Sequence, residues 1–305
     1  VCPAGLASHP QPLQAATSIP SSLLLGWKTQ GKQWVSLMFS IGIDQMKLKE
    51  RFTSLGVFSL LAKPLSNPKV AKNGKVGVLT APLHLAPASL SGFNVCAQST
   101  VGCRAACLHT AGNPAYMTGK TVARIGRTKA YFNARPAFMA ALALDIAKHV
   151  RAAERQGMAA AVRLNATSDI AWERVPVEYM GKTYPNLMTA FPDVSFYDYT
   201  KITKRAIASI SDPAWPANYK LTYSATGEND EECADVLARG GNVAAVFAVK
   251  RGHALPLAAA IAGRSFPTLD GDEHDYRPID LPGHITALRA KGKAIGDLSG
   301  FVRAV

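Results

Sequence analysis

The sequence has no apolar run of the roughly 18 residues that a membrane-spanning helix requires, so no membrane role is expected. It also lacks G-x4-GK[ST], a G-x-G-x-x-G placed after a strand, H-E-x-x-H and G-x-S-x-G. These absences argue against an ordinary P-loop ATPase, a Rossmann enzyme, a zincin and an α/β-hydrolase. Acidic residues are scarce: 21 Asp and Glu face 34 Lys and Arg, a formal charge of +13. Such a field attracts anions and says little about fold. Aromatic residues make up 8% of the chain and never interleave with a basic run in the RNP manner. The partner is therefore expected to be an anionic small molecule or nucleic acid, with neither singled out. Cysteine is sparse and odd in number, at Cys2, Cys96, Cys103, Cys107 and Cys233, which does not suit a secreted disulfide framework. Asn165-Ala166-Thr167 fits a glycosylation sequon by chance, and no signal or transit peptide stands out, so the cytoplasm is the expected location. Nothing in the sequence fixes an oligomeric state.

What is present is ample apolar material. With 305 residues, 48% of them hydrophobic, the chain can bury a large core, and α/β barrels commonly use such a length as one domain. Residues 1–50 stand apart, because VCPAGLASHPQPLQAATSIPSSLL is rich in Pro, Ser and Ala and has no sustained period. That composition reads as a flexible or non-native leading segment, with Met38 or Met46 as alternative starts, or as a partner-binding arm. Residues 51–305 read as one α/β domain.

Its periodicity is legible. GKVGVLTAPLHL carries a β-type run at Val76–Leu79 after the turn pair Asn73-Gly74. Further on, Pro136 is a good first-turn residue, Phe138, Leu142, Ile146 and Val150 recur every four residues, and Gly157 closes the helix. Strands are expected at Ala159–Asn165, Val194–Thr200, Tyr219–Ala225 and Val243–Val249, with helical pieces at Tyr184–Phe191, Thr203–Ser209 and Glu231–Arg239. FPTLDG and HITALRA add short strands. The alternation implies right-handed βαβ units and a parallel sheet of about five to seven strands. A partial or complete (βα) barrel is favoured over an open doubly wound sheet, since polar residues recur at the C-terminal ends of strands, where barrel enzymes place their chemistry.

The strongest chemical signal is Cys96-x6-Cys103-x3-Cys107 on the loop after the first strand. Thiolates are soft charged donors suited to iron or zinc, and Gly102 and Gly112 would let the backbone turn around a shared centre. Three protein thiolates on a four-iron cluster would leave one iron open. The alternatives are a Cys3His zinc site completed by His109, or small buried residues with a disulfide. A second constellation is the row of strand ends: Asn165, Ser168, Asp169, Trp172 and Glu173, then Tyr197 to Lys201 with Asp198 and Thr200, then Thr222 and Ser224. In a barrel these would bind a polar cofactor or substrate; otherwise Ser168, Asp169 and Thr200 serve as helix caps. Asp270 and Asp272 fall in TLDGDEHDYRPID, a polar turn that does not meet the EF-hand pattern, although both would reach the site. Arg124, Arg127, Lys129 and Arg135 follow the cysteines and would either hold an anion or form a solvated helix face; Lys291 and Lys293 add charge near the end.

The ordered motifs GCRAACLHTAG, RTKAYFNARPAF, VRLNATSDIAWE, FYDYTK, LTYSAT and LDGDEHDYRPID resemble the phage gene product 88 family over roughly residues 55–303. That resemblance implies a bacteriophage or prophage origin, hence the cytoplasm of an infected bacterial host, and no established activity. More distantly, the layout is similar to radical S-adenosylmethionine enzymes, in which three cysteines hold a four-iron cluster whose open iron binds the cofactor. The resemblance implies that role for Cys96, Cys103 and Cys107, with a 4Fe-4S cluster and S-adenosylmethionine as cofactors. The spacing departs from C-x3-C-x2-C, and no GGE-like strand is evident. Together these readings give an iron–sulfur redox or radical enzyme acting on a small molecule, nucleotide or nucleic acid; the competing reading is a zinc-stabilised, basic nucleic-acid-binding protein without catalysis.

Overall fold

A computed structural model describes residues 59–107 and 118–305. The leading segment 1–50 with Met38 and Met46, and also His109 and Gly112, lie outside the described residues. The strands are β1 (Val78–Pro82), β2 (Ala159–Arg163), β3 (Val177–Tyr179), β4 (Lys182–Tyr184), β5 (Ser195–Thr200), β6 (Tyr219–Ser224), β7 (Asn242–Phe247), β8 (Ala258–Ile261), β9 (Arg264–Asp270), β10 (Ile285–Arg289) and β11 (Val302–Arg303). The α-helices are α1 (Pro68–Ala71), α2 (Val101–Ala105), α3 (Thr118–Asn133), α4 (Arg135–Arg155), α5 (Leu187–Ala190), α6 (Thr203–Ser211) and α7 (Asp230–Ala238).

Nine strands form one mostly parallel sheet in the order β1-β2-β5-β6-β7-β10-β9-β8, with β11 also paired to β7. Every pairing in it is parallel except the β8–β9 hairpin. The first six strands along that order run in chain order, as successive crossover units produce. The expected strands are all present, shifted by up to three residues at their ends. Three pieces have no counterpart in the expected strands: the β3–β4 hairpin, β8 and the two-residue β11. β3 and β4 pair around Met180 and Gly181, both at positive φ (52° and 73°), a turn that Asn-Gly or Asp-Gly would have advertised and Met-Gly does not. β8 is alanine-rich and has no β-branched signature.

Alternation along the strands gives the sheet two different faces. On one, Ala81, Val162, Phe196, Tyr219 and Leu221 join Phe138, Met139, Leu142 and Ile146 of α4 in the main core. Farther along that face, Tyr223, Val243, Ala245, Ile285 and Ala287 pack with Ala206 of α6 and Val236 and Leu237 of α7. The four-residue stripe therefore faces the core as its period implies: Phe138, Leu142 and Ile146 are fully buried. Gly157, at φ 64°, follows the helix end and its N–H donates to Glu154 O. His149, on the same helix, lies with Nε2 3.0 Å from both Leu79 O and Ala161 O and so clamps β1 to β2.

The other face is polar although mostly buried. Cross-strand partners place Thr80, Ala161 and Ser195 in line, then Tyr197 with Lys220, Tyr199 with Thr222, and Ser224 with Ala244 and Thr286. Thr80, Tyr197, Thr222, Asn242 and Thr286 on this face are at most 3% exposed. No helix among the described residues is long and apolar enough to cross a membrane.

Leu142→Ala should destabilise the protein by about 2–5 kcal/mol, because the site is enclosed by α4 and the sheet and can collapse only in part. Urea unfolding of the two proteins measures it, and a loss under about 1 kcal/mol would contradict this packing.

Candidate functional site

The chain leaves β1 and builds a loop over the C-terminal ends of β1 and β2. Its backbone is pinned to the segment after β2: Asp169 N donates to Val95 O at 2.7 Å, and Thr167 Oγ1 donates to Leu85 O at 2.6 Å. Cys96 rides on this junction. Its N–H donates to Asn94 Oδ1 at 2.9 Å, and its Sγ accepts from Ala88 N at 3.4 Å. Cys103 lies in α2, whose N-cap Thr100 accepts from the Cys103 N–H through Oγ1 at 3.1 Å. Gly102 in that turn packs closely on Ser299, whose hydroxyl would have to move to make room for a Cβ. Cys96, Cys103 and Cys107 are each half-buried.

Burial pushes the Cys96 thiol up; the Ala88 N–H and the Lys201 cation oppose this, and Cys107 and Asp169 reinforce it. Cys96 and Cys107 are thus near enough to sense each other's charge, and Cys107 also acts on Arg124. Among the described residues, no three His, Cys, Asp or Glu side chains stand together in a metal-binding arrangement.

The residues after β2 and β5 do come together, as a closed network. Asn165 Oδ1 accepts from Ser168 Oγ at 2.8 Å, Ile170 N at 2.9 Å and Trp172 Nε1 at 2.9 Å. Its N–H donates to Asp198 Oδ1 at 2.6 Å, and Tyr219 OH donates to Asp198 Oδ2 at 2.9 Å. Asp169 accepts from Thr200 Oγ1 at 2.9 Å, Lys201 N at 2.8 Å and Arg205 Nη1 at 2.7 Å. Arg205 in turn grips Glu173 at 2.9 and 2.8 Å, the two-pronged geometry that makes such pairs strong. Asn165, Asp198 and Thr200 are at most 3% exposed, and their polar atoms are engaged with one another. Asp198 lies on the helix-packed face, where burial raises its pKa to about 7 against the pull of the Asn165 N–H and Arg163. Ser224 and Lys201 fall on the polar face, buried and half-buried respectively. Asp270 is elsewhere, at the end of β9, where both its oxygens take Arg289 Nη1 at 3.0 Å; Asp272 takes the same nitrogen at 3.2 Å.

The polar face holds residues that sequence patterning did not single out. Asp275, fully buried, is 2.9 Å from Arg163 Nη1 and 3.0 Å from Lys69 Nζ, and its N–H donates to Asn73 Oδ1 at 2.7 Å. Tyr197 OH donates to its Oδ2 at 3.2 Å. Burial alone would raise the Asp275 pKa; Arg163, Lys69 and Arg277 prevail and hold it at about 2. Where β1 ends, His84 continues the polar row. Burial first, then Arg124, Arg163, Arg127 and Lys120, lower its pKa to about 3, so the imidazole is neutral at pH 7. A sequence signal existed for Asp275 and Arg277, which lie in the acidic LDGDEHDYRPID turn; none existed for His84, a lone histidine in an apolar run.

A cleft of about 550 Å³ opens elsewhere, between Phe247, Pro256, Ala258 to Ala260, Gly300 and residues 302–305. Its one ionisable side chain, Arg303, is paired with Asp230, so it offers less chemistry than the strand ends.

Fold and site together describe a mixed α/β protein whose parallel sheet carries a thiol-bearing loop and a cationic row at its strand ends. The family model of the phage protein Gene product 88 matches residues 59–304, and the chain belongs to that family. No curated protein and no solved structure matches the chain.

The two shifted groups give opposite pH trends. Asp198, raised to about 7, contributes stability below about pH 4 that is lost as pH rises towards 7. His84, lowered to about 3, contributes stability above about pH 6.5 that is lost as pH falls. Asp198→Asn removes the first trend, so the variant should gain on the parent by on the order of 1 kcal/mol per pH unit between pH 4 and 7. Denaturant unfolding at several pH values reads this directly; a pH-independent difference would refute the buried-acid assignment.

Proposed function

We propose that this protein is an iron–sulfur enzyme. In this reading Cys96, Cys103 and Cys107 hold a cluster, and the sheet curves into a partial (βα) barrel whose strand ends face it. The observation that carries the reading is the position of the cysteine loop: it lies over the ends of β1 and β2, with Cys96 and Cys107 in each other's field. The donor set fits such a group. Three soft thiols lie on one segment, and the Lys201 cation works against the burial that holds Cys96 as a thiol, while Cys107 and Arg124 feel each other's charge. Ligand groups of this kind are rarely preformed, and metal binding orders them; the loop from Ser99 onward would draw Cys103 towards the other two.

When bound, a four-iron cluster held by three thiolates supplies one-electron chemistry with one iron open. The chain's own residues would do the rest. Lys201 would balance thiolate charge next to Cys96, while the Asn165–Asp169–Arg205 network would hold the post-β2 loop rigid beneath it. S-adenosylmethionine is the co-substrate this layout suggests, and redox or radical modification of a small molecule is the reaction class.

Anaerobically purified protein should be brown, absorb near 400 nm, and contain about four iron atoms per chain. Cys103→Ser and Cys107→Ser should each lose most of that iron and absorbance. A colourless protein holding one zinc per chain, with nucleic-acid affinity that falls steeply with salt, would replace this reading with that of a zinc-stabilised nucleic-acid-binding protein.

A further inference from the structure

We infer that His84, Arg163 and Tyr199 form a cradle for the phosphate group of a small molecule, at the C-terminal end of the sheet's polar face. The inference goes beyond the reading above and uses none of the cysteines. Its starting point is a hydrogen-bond deficit. His84 Nδ1, Arg163 Nε and Tyr199 OH are buried atoms to which the described residues offer no hydrogen-bond partner. Native proteins satisfy the large majority of such atoms, so three at one place call for an explanation. Two further atoms without a well-angled bond, Asp275 Oδ1 and Arg277 Nη1, are accounted for: each lies 3.0 Å from an opposite charge, on Lys69 and Asp280.

The three unsatisfied groups are neighbours. The Arg163 guanidinium lies over the Tyr199 ring, 4.6 Å from its centre. His84 extends the β1 row that contains Thr80 and Pro82, and Pro82 is the register partner of Arg163. The residue between them, Leu83, donates its N–H to Arg163 O at 2.8 Å, so the ladder continues to the base of His84.

Their chemistry selects an acceptor. Arg163 Nε can only donate, and Tyr199 OH and a neutral His84 can each donate as well. The field selects an anion. Every charged group that acts strongly on His84 is a cation: Arg124, Arg163, Arg127 and Lys120. Beneath, Lys69, Arg163 and Arg277 face the two carboxylates Asp275 and Asp280, an excess of one positive charge. Several donors converging in a cationic field match a group with several acceptor oxygens and two negative charges, as a phosphate monoester has. The burial of all three atoms also favours a terminal phosphate on a small molecule. The internal diester of a nucleic acid would have to bring its flanking sugars past the half-buried Arg124 and Arg127.

Calorimetric titration with inorganic phosphate, AMP and adenosine tests this at fixed ionic strength. Phosphate and AMP should bind and raise the melting temperature, and adenosine should not. Arg163→Gln would break the Asp275 pair and risk the fold, so the decisive variant is Tyr199→Phe, which removes one hydroxyl. It should weaken AMP binding roughly tenfold, as loss of a hydrogen bond to a charged group does. Lys148→Ala, on the exposed side of α4, should leave binding unchanged. No binding of phosphate or AMP, an unaltered affinity in Tyr199→Phe, or binding of single-stranded DNA without binding of AMP would each overturn the cradle. Iron measured on the same preparations separates the two ideas: a colourless protein that binds AMP keeps the cradle and loses the cluster, and a brown protein indifferent to phosphate does the reverse.

Discussion

One buried carboxylate organises the half of the molecule where the chemistry would lie. Asp275 is fully buried and accepts charge from Arg163 at the end of β2 and from Lys69 of α1, while its backbone N–H is held by Asn73 just before β1. Removing such a carboxylate from water costs several kcal/mol. That cost is met only because two cations and a tyrosine hydroxyl converge on it, and the contest is decided in their favour: the pKa goes down to about 2 although burial pushes it up. Leaving one member of a buried pair unpaired typically costs about 3–5 kcal/mol. The segment after β9 is therefore tied to the opposite end of the sheet's chain order, and the polar face has a lid made of its own sequence.

The consequence for the strand ends is a division of labour between the faces. On the helix-packed face, Asp169, Glu173, Arg205, Asn165 and Asp198 saturate one another. Such fully satisfied networks rigidify a structure and leave little for a ligand to gain. On the polar face, His84, Arg163 and Tyr199 keep donor atoms that no described residue satisfies. The cysteine loop lies where both groups meet, anchored to the post-β2 segment and within the field of Lys201 and Arg124. A rigid platform, a thiol-bearing loop and a group of cations at the strand ends are thus adjacent.

The positive charge of the chain also acquires a location. An excess of +13 is compatible with a diffuse basic surface, yet Arg124, Arg127 and Arg163 are half-buried rather than displayed. Arg127 spends its guanidinium on Ser59 O and His84 O, and burial, with Arg124 beside it, lowers its pKa to about 10. Cations withdrawn from water in this way act on near neighbours more than they add to a diffuse surface field. Lys129 and Arg135, which sequence places beside them, are exposed.

By itself the sequence determined the mixed α/β class and the order of the principal parallel strands and the helices between them. The four-residue period of Phe138, Leu142 and Ile146 marks a buried helix face, and short apolar runs separated by helices mark parallel strands, because these periods are set by local backbone geometry. It also marked the three cysteines, since thiols so close in sequence are conspicuous whatever the fold. The β3–β4 turn stayed hidden because Met180 adopts a positive φ that its residue type does not advertise. What only the tertiary structure decided was which polar residues are spent and which are spare. Asn165, Asp198 and His84 look alike in a sequence as polar residues at strand ends. Alternation sends Asp198 to the helix-packed face, where Tyr219 and Asn165 occupy it, and sends His84 to the polar face among four cations. That difference arises from contacts between residues far apart in the chain, up to 202 positions for Asn73 and Asp275, and no local pattern encodes them.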